Sequence, residues 1–137
     1  IADNAMKGSK KLTKAVIGSN VKTIGKNAFA GSKKLKTVKI GKNVTSIGAN
    51  AFKKCTAVTS LTLPAKTVKI GANAFNGCKK LKKLNIKSKK MTKKTVAKNA
   101  FKGLTRKTKI KAPKAKVKTY KKLFRKRGLS GKVKVTK

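Results

Sequence analysis

The stretch "IGANAFKKC" (Ile47–Cys55) returns as "IGANAFNGC" (Ile70–Cys78), 23 residues further along. Working outward, "IGKNAFAGS" begins at Ile24 and "IADNAMKGS" at Ile1. A looser copy, "VAKNAFKGL", begins at Val96, three residues later than the other four predict. A fixed period of roughly 20–50 residues marks a chain made of stacked copies of one small unit, none of which can bury its apolar face alone. The fold is therefore read from the period before any local propensity is consulted.

Each copy continues in the same way. "LKTVKI" (Leu35–Ile40) and "LKKLNI" (Leu81–Ile86) alternate apolar and polar residues, as a short half-buried strand does. Alternation places Val38 with Ile40, and Leu61 with Leu63, on the inner face. Thr37, Lys39, Ser60 and Thr62 then face outward. The "NAF" portion reads as a tight helical turn, with Asn4, Asn27, Asn50, Asn73 and Asn99 as N-caps. Phe29, Phe52, Phe75 and Phe101, joined by Met6, read as a stacked inner spine, each burial worth about 2 kcal/mol or more.

The string "IGANAFKKCTAVTSLTLP" (Ile47–Pro64) resembles the BspA-like class of leucine-rich repeats, whose pattern is I-G-x-N-A-F-x-G-C-x-x-L-x-x-L-x-L-P. The likeness covers Ile1–Pro113. It implies a right-handed leucine-rich-repeat solenoid of about five 23-residue coils, and a place on secreted or surface-exposed bacterial proteins. Several departures stand out. Only Pro64 and Pro113 keep the proline after the strand, and Gly18, Gly41 and Lys87 replace it elsewhere. The loop "KSKKMTKK" (Lys87–Lys94) is lengthened, and Lys107 stands where Leu is expected. The fifth coil is accordingly expected to be distorted, and the stack to end there.

Residues 114–137 read as a C-terminal cap following a solenoid of residues 1–113. In "KAKVKTYKKLFRKRG" the residues Val117, Tyr120, Leu123 and Phe124 make one stripe of a short helix. Its last turn holds Arg125, Lys126 and Arg127, where cations suit the dipole, and Gly128 suits the position just past its end. Covering the last coil is the favoured role; lying on an anionic membrane is the alternative. "KVKVTK" (Lys132–Lys137) reads as a further strand. The first residue falls on the first letter of the repeat, which predicts a segment of a longer protein.

The 137 residues carry 41 Lys plus Arg against one acid, Asp3, for a net charge of +40. Lysines interleaved with periodic apolar residues point to an ordered, self-repelling fold whose partner is anionic. No apolar run approaches the ~18 residues of a membrane span. With no His and one carboxylate there is no general acid–base pair and no base for a nucleophile, so the chain reads as non-enzymatic and without cofactor. Cys55 and Cys78 hold one repeat position, about 4.8 Å apart on adjacent coils. Their side chains would run parallel, so they read as free buried thiols and not as a disulfide or a zinc site.

The binding surface is expected on the outward side of the strands: Lys14, Val16, Thr37, Lys39, Ser60, Thr62, Lys83, Asn85, Lys109 and Lys111. A second basic set, Lys10, Lys11, Lys33, Lys34, Lys79 and Lys80, precedes the strands. Thr56 and Ala57, with Ser60 and Thr62, make a neutral belt between two positive lobes. The favoured reading is a non-catalytic binding or adhesion module of a secreted or cell-surface bacterial protein. It would take a protein, a glycan or an anionic polymer. An intracellular binder of nucleic acid or another polyanion is the first alternative, with contacts that are non-specific. A structural spacer is the second. The plainest reading of the charge makes lysine a solvated surface residue with no dedicated ligand.

Overall fold

The computed structural model describes residues 1–137. Each coil lays down one strand on a broad side and, in the first three, a two-residue strand at a corner. The broad side holds β1 (Lys14–Val16), β3 (Thr37–Lys39), β5 (Ser60–Leu63), β7 (Lys83–Ile86), β8 (Lys109–Lys111) and β9 (Lys134–Thr136). The corner holds β2 (Thr23–Ile24), β4 (Ser46–Ile47) and β6 (Lys69–Ile70). All pairings are parallel, with β1 on β3, β2–β4–β6 in order, and β5–β7–β8–β9 in order. The register steps by one repeat, so Leu61, Leu84, Ile110 and Val135 form one inward column. Ile24, Ile47 and Ile70 form another, and residues of both columns belong to a single core.

The phenylalanine spine is present and regular. Phe29 stacks on Phe52 with ring centroids 5.4 Å apart and planes within 5°, and Phe52 on Phe75 at 6.2 Å. Phe75 meets Phe101 at 6.0 Å with a tilt of 31°. Met6 holds the equivalent place in the first coil, where its amide donates to Ala28 (2.7 Å) as that of Phe29 does to Ala51, and its side chain is 46% exposed.

The "NAF" segments differ from the expected capped helical turn. They are successive tight turns, in which the amide of Ala28 donates to Gly25, Ala30 to Asn27 and Ser32 to Phe29. Asn27 sits at φ 54° and Asn50 at φ 56°, in the left-handed region, where an N-cap would be extended. Asn is among the few side chains that tolerate this region. The winding turns alternate amides toward the next coil: Asn27 donates to Ala49 (2.9 Å), Phe29 to Ala51 (2.8 Å) and Gly31 to Lys53 (2.7 Å). The same three bonds recur from Asn50, Phe52 and Lys54. The turn side is thus a third ladder between coils, and it satisfies the backbone groups that burial would otherwise orphan.

Close stacking also explains the glycine after each inward Ile. A Cβ on Gly48 would lie 2.6 Å from the backbone of Gly25 in the coil before. The first copy carries Ala2 at this place.

The stack does not end at the fifth coil, contrary to expectation. Lys107 stays exposed, but Thr108 is buried and donates its hydroxyl to the carbonyl of Leu81 (2.7 Å), restoring the inward position one residue later. A single 3₁₀ turn (Lys114–Lys116) leads into α1 (Val117–Lys126), and Gly128 just beyond its end sits at φ 91°. Phe124 continues the spine 4.2 Å from Phe101, and the amide of Phe101 donates to the carbonyl of Arg127. The end of α1 therefore occupies the place of a sixth turn, and β9 that of a sixth strand. Tyr120 and Phe124 are wholly buried and Val117 and Leu123 half-buried, so the stripe of α1 faces the solenoid and not a bilayer. No helix is long and apolar enough to cross a membrane.

Candidate binding surface

Alternation along the strands sets what each coil shows to solvent. Lys14, Val16, Thr37, Lys39, Ser60, Lys83, Lys109 and Lys111 are exposed, and Thr62 and Asn85 are half-buried. Val16 is 64% exposed. All ten expected strand-face residues thus lie on one side, in parallel register.

Pairing gathers them unevenly. Lys83, Lys109 and Lys134 are opposite one another on β7, β8 and β9, and beside them run Asn85, Lys111 and Thr136. A concavity of about 550 Å³ is lined by Asn85 with Lys83, Lys87, Lys109, Lys111 and Lys137, and by Ile86, Ala112 and Pro113. Five lysines line this hollow, and no acidic side chain does. The chain's one acid, Asp3, accepts the amide of Lys26 in the first two coils (2.6 Å).

Sequence reasoning missed Lys87, Lys134 and Lys137. Lys87 lies just past its strand, where the repeat places proline, so it reads as a departure from the pattern and not as a ligand. Lys134 is legible in the alternation of "KVKVTK", whose outward letters continue the strand face.

At the third coil Ser60 and Thr62 interrupt the charge, and Asn85 donates to the Thr62 hydroxyl (3.4 Å). This neutral belt is narrow. Beyond the strand ends Lys42, Lys66 and Lys87 line one concavity together with Thr62 and Pro64, and Lys66 donates to Asn43 (2.7 Å). The second basic set is apart from the strands. Lys10, Lys33 and Lys34 surround a shallow hollow with Gly8, Ser9 and Gly31, while Lys11, Lys79 and Lys80 are simply exposed.

The thiols face inward. Cys55 donates to the carbonyl of Phe29 (3.0 Å) and Cys78 to that of Phe52 (3.1 Å), as Ser32 does to Met6 (2.7 Å). Both cysteines are free, and burial pushes each thiol up to about 12. Burial likewise raises the Tyr120 phenol, whose hydroxyl donates to the carbonyl of Ser88 (2.8 Å) and accepts the amide of Met91 (3.1 Å).

Comparison with known proteins agrees with this geometry. The model of the BspA type leucine rich repeat region matches residues 1–130 in six copies. Among solved structures, a leucine rich repeat protein of T. pallidum is similar with TM-score 0.70 and 24% identity, over 84% of this chain and 52% of that one. A leucine-rich repeat protein from Bacteroides ovatus superposes with TM-score 0.73 and 23% identity, over 93% and 37% respectively. A leucine rich cell surface protein from Faecalibacterium prausnitzii gives TM-score 0.67 and 23% identity, over 85% and 40%. The chain therefore spans about half or less of each of these structures. No curated protein sequence matches it significantly.

Proposed function

Because the chain belongs to the BspA-type leucine-rich repeat family, we propose that it is a non-catalytic binding module of a secreted or cell-surface bacterial protein. Its partner is anionic and engages the outward face of the strands. The observation that carries this reading is the hollow around Asn85, where five lysines converge without an acid. The cell-surface description of the similar F. prausnitzii protein supports the location. Nucleic acid is the weaker partner. Arg, the better reader of base edges, occurs only at 106, 125 and 127, and all five Phe rings are buried.

The test compares Lys83→Glu/Asn85→Glu with Lys10→Glu/Lys11→Glu, in binding to heparin, duplex DNA and wall polymer over a range of salt. The strand-face pair should weaken binding by about tenfold while the melting temperature holds, and the second pair should matter much less. Equal damage from both pairs would refute the strand-face assignment. A preference for DNA over the surface polymers would favour the intracellular alternative.

A further inference from the structure

We propose that the strand face of the last three coils is a track for a flexible phosphodiester-linked polyol, lying along the stacking axis across β7, β8 and β9. This deepens the reading above and rests on it.

The column Lys83–Lys109–Lys134 puts like charges on adjacent parallel strands about 4.8 Å apart, an arrangement that destabilises a sheet. No acidic side chain relieves it. An anion with charges repeating along the axis would neutralise all three rungs together, which a single small anion cannot do. Lys87, Lys111 and Lys137 flank the column and widen it to a track.

The residue types narrow the chemistry. The hollow is lined by lysine without arginine, so it offers compact point charges with rotatable donors and no planar fork. Such groups follow a mobile tetrahedral anion and do not select a planar carboxylate. With Tyr120 and every Phe buried, the face gives a base or sugar ring nothing aromatic to stack upon. Ile86, Ala112 and Pro113 line the hollow together with the lysines. A polymer with short hydrocarbon spacers between its phosphates offers both kinds of lining a partner, whereas an unbroken inorganic chain offers none to the apolar one.

The track has a direction and an end. At β5 the rungs become Ser60 and Thr62, and Asn85 already donates to the Thr62 hydroxyl. The run of cationic rungs from β9 to β7 is interrupted there, and strand-face lysines resume only at Lys39 on β3.

The experiment measures poly(glycerol phosphate) binding by calorimetry over a series of salt concentrations. It compares the parent chain with Lys83→Gln/Lys109→Gln/Lys111→Gln/Lys137→Gln. A control, Lys7→Gln/Lys26→Gln/Lys98→Gln/Lys102→Gln, removes equal charge from exposed positions on the turn side. Circular dichroism verifies that both variants fold. The track variant should lose about tenfold or more in affinity, and its slope of log K against log salt should fall by about 3; the control should change little. Equal weakening of both variants would overturn the track in favour of bulk electrostatics. Tighter binding of inorganic polyphosphate at matched phosphate would overturn the polyol. A preference for heparin that depends on the same four lysines would overturn the phosphate class while leaving the strand-face reading intact. Failure of every polyanion to bind the parent at physiological ionic strength would overturn both readings.

Discussion

Lys54 is the residue most at odds with its backbone. The corresponding place holds Gly8, Gly31, Gly77 and Gly103 in the other coils, all at positive φ, and Lys54 shares it at φ 58°. Glycine is at ease there, but a side chain costs about 1–2 kcal/mol, partly offset because glycine has more unfolded freedom to lose. Lys54→Gly should therefore stabilise the fold by about 0.5–1 kcal/mol in urea unfolding. A neutral or negative result would mean that the turn ladder carries the strain at no cost. The thiols give a second prediction at this scale. An unfolded cysteine loses its proton near 9, while Cys55 and Cys78 hold theirs to about 12. Between those values the unfolded chain binds fewer protons, so the thiols make stability fall as pH rises, by at most about 1.4 kcal/mol per unit for each. Unfolding of Cys55→Ser/Cys78→Ser should track the parent below pH 9 and fall less steeply above it. The same slope in both chains would contradict the burial of the thiols.

At the scale of elements, α1 closes the stack and also holds the lengthened loop. Tyr120 reaches from α1 to donate to Ser88 and receive the amide of Met91, and Arg127 donates to the carbonyl of Lys93 (2.7 Å). Met91 is buried by this clasp. Tyr120→Phe would keep the ring and strand a buried amide, costing about 1–3 kcal/mol. Hydrogen exchange should quicken across residues 88–95 while the strands stay protected. Unchanged exchange there would show that the loop is seated by Met91 alone. The helix stripe was legible because Val117, Tyr120, Leu123 and Phe124 recur at helical spacing. The clasp was not, since a hydroxyl meeting an amide 29 residues away leaves no local pattern.

For the whole molecule, charge repulsion is the largest force acting outside the core. At +40 with one carboxylate, almost every lysine repels its neighbours without a partner. Screening acts over about 10 Å at 0.1 M salt, which is wider than the distance between rungs, so exposed charge on adjacent coils interacts at low ionic strength. The melting temperature should rise with added salt. A polyvalent phosphate at millimolar concentration, too dilute for exclusion effects, should raise it more than chloride of equal ionic strength. A melting curve indifferent to both would mean that the lysines are too well hydrated to destabilise the fold.

The period, the inward columns and the aromatic spine were determined by the sequence alone. A buried position repeats its letter at every coil, and alternation along a strand declares its own faces. The tertiary structure decided three things. It put the asparagines in left-handed turns that bond coil to coil, because residue type permits that conformation without announcing it. It carried the stack past Pro113, because α1 fills a turn's place with unrelated letters. It also gathered Lys87, Lys134 and Lys137 with the strand-face lysines, because parallel register across the last coils, and not proximity along the chain, brings those charges together.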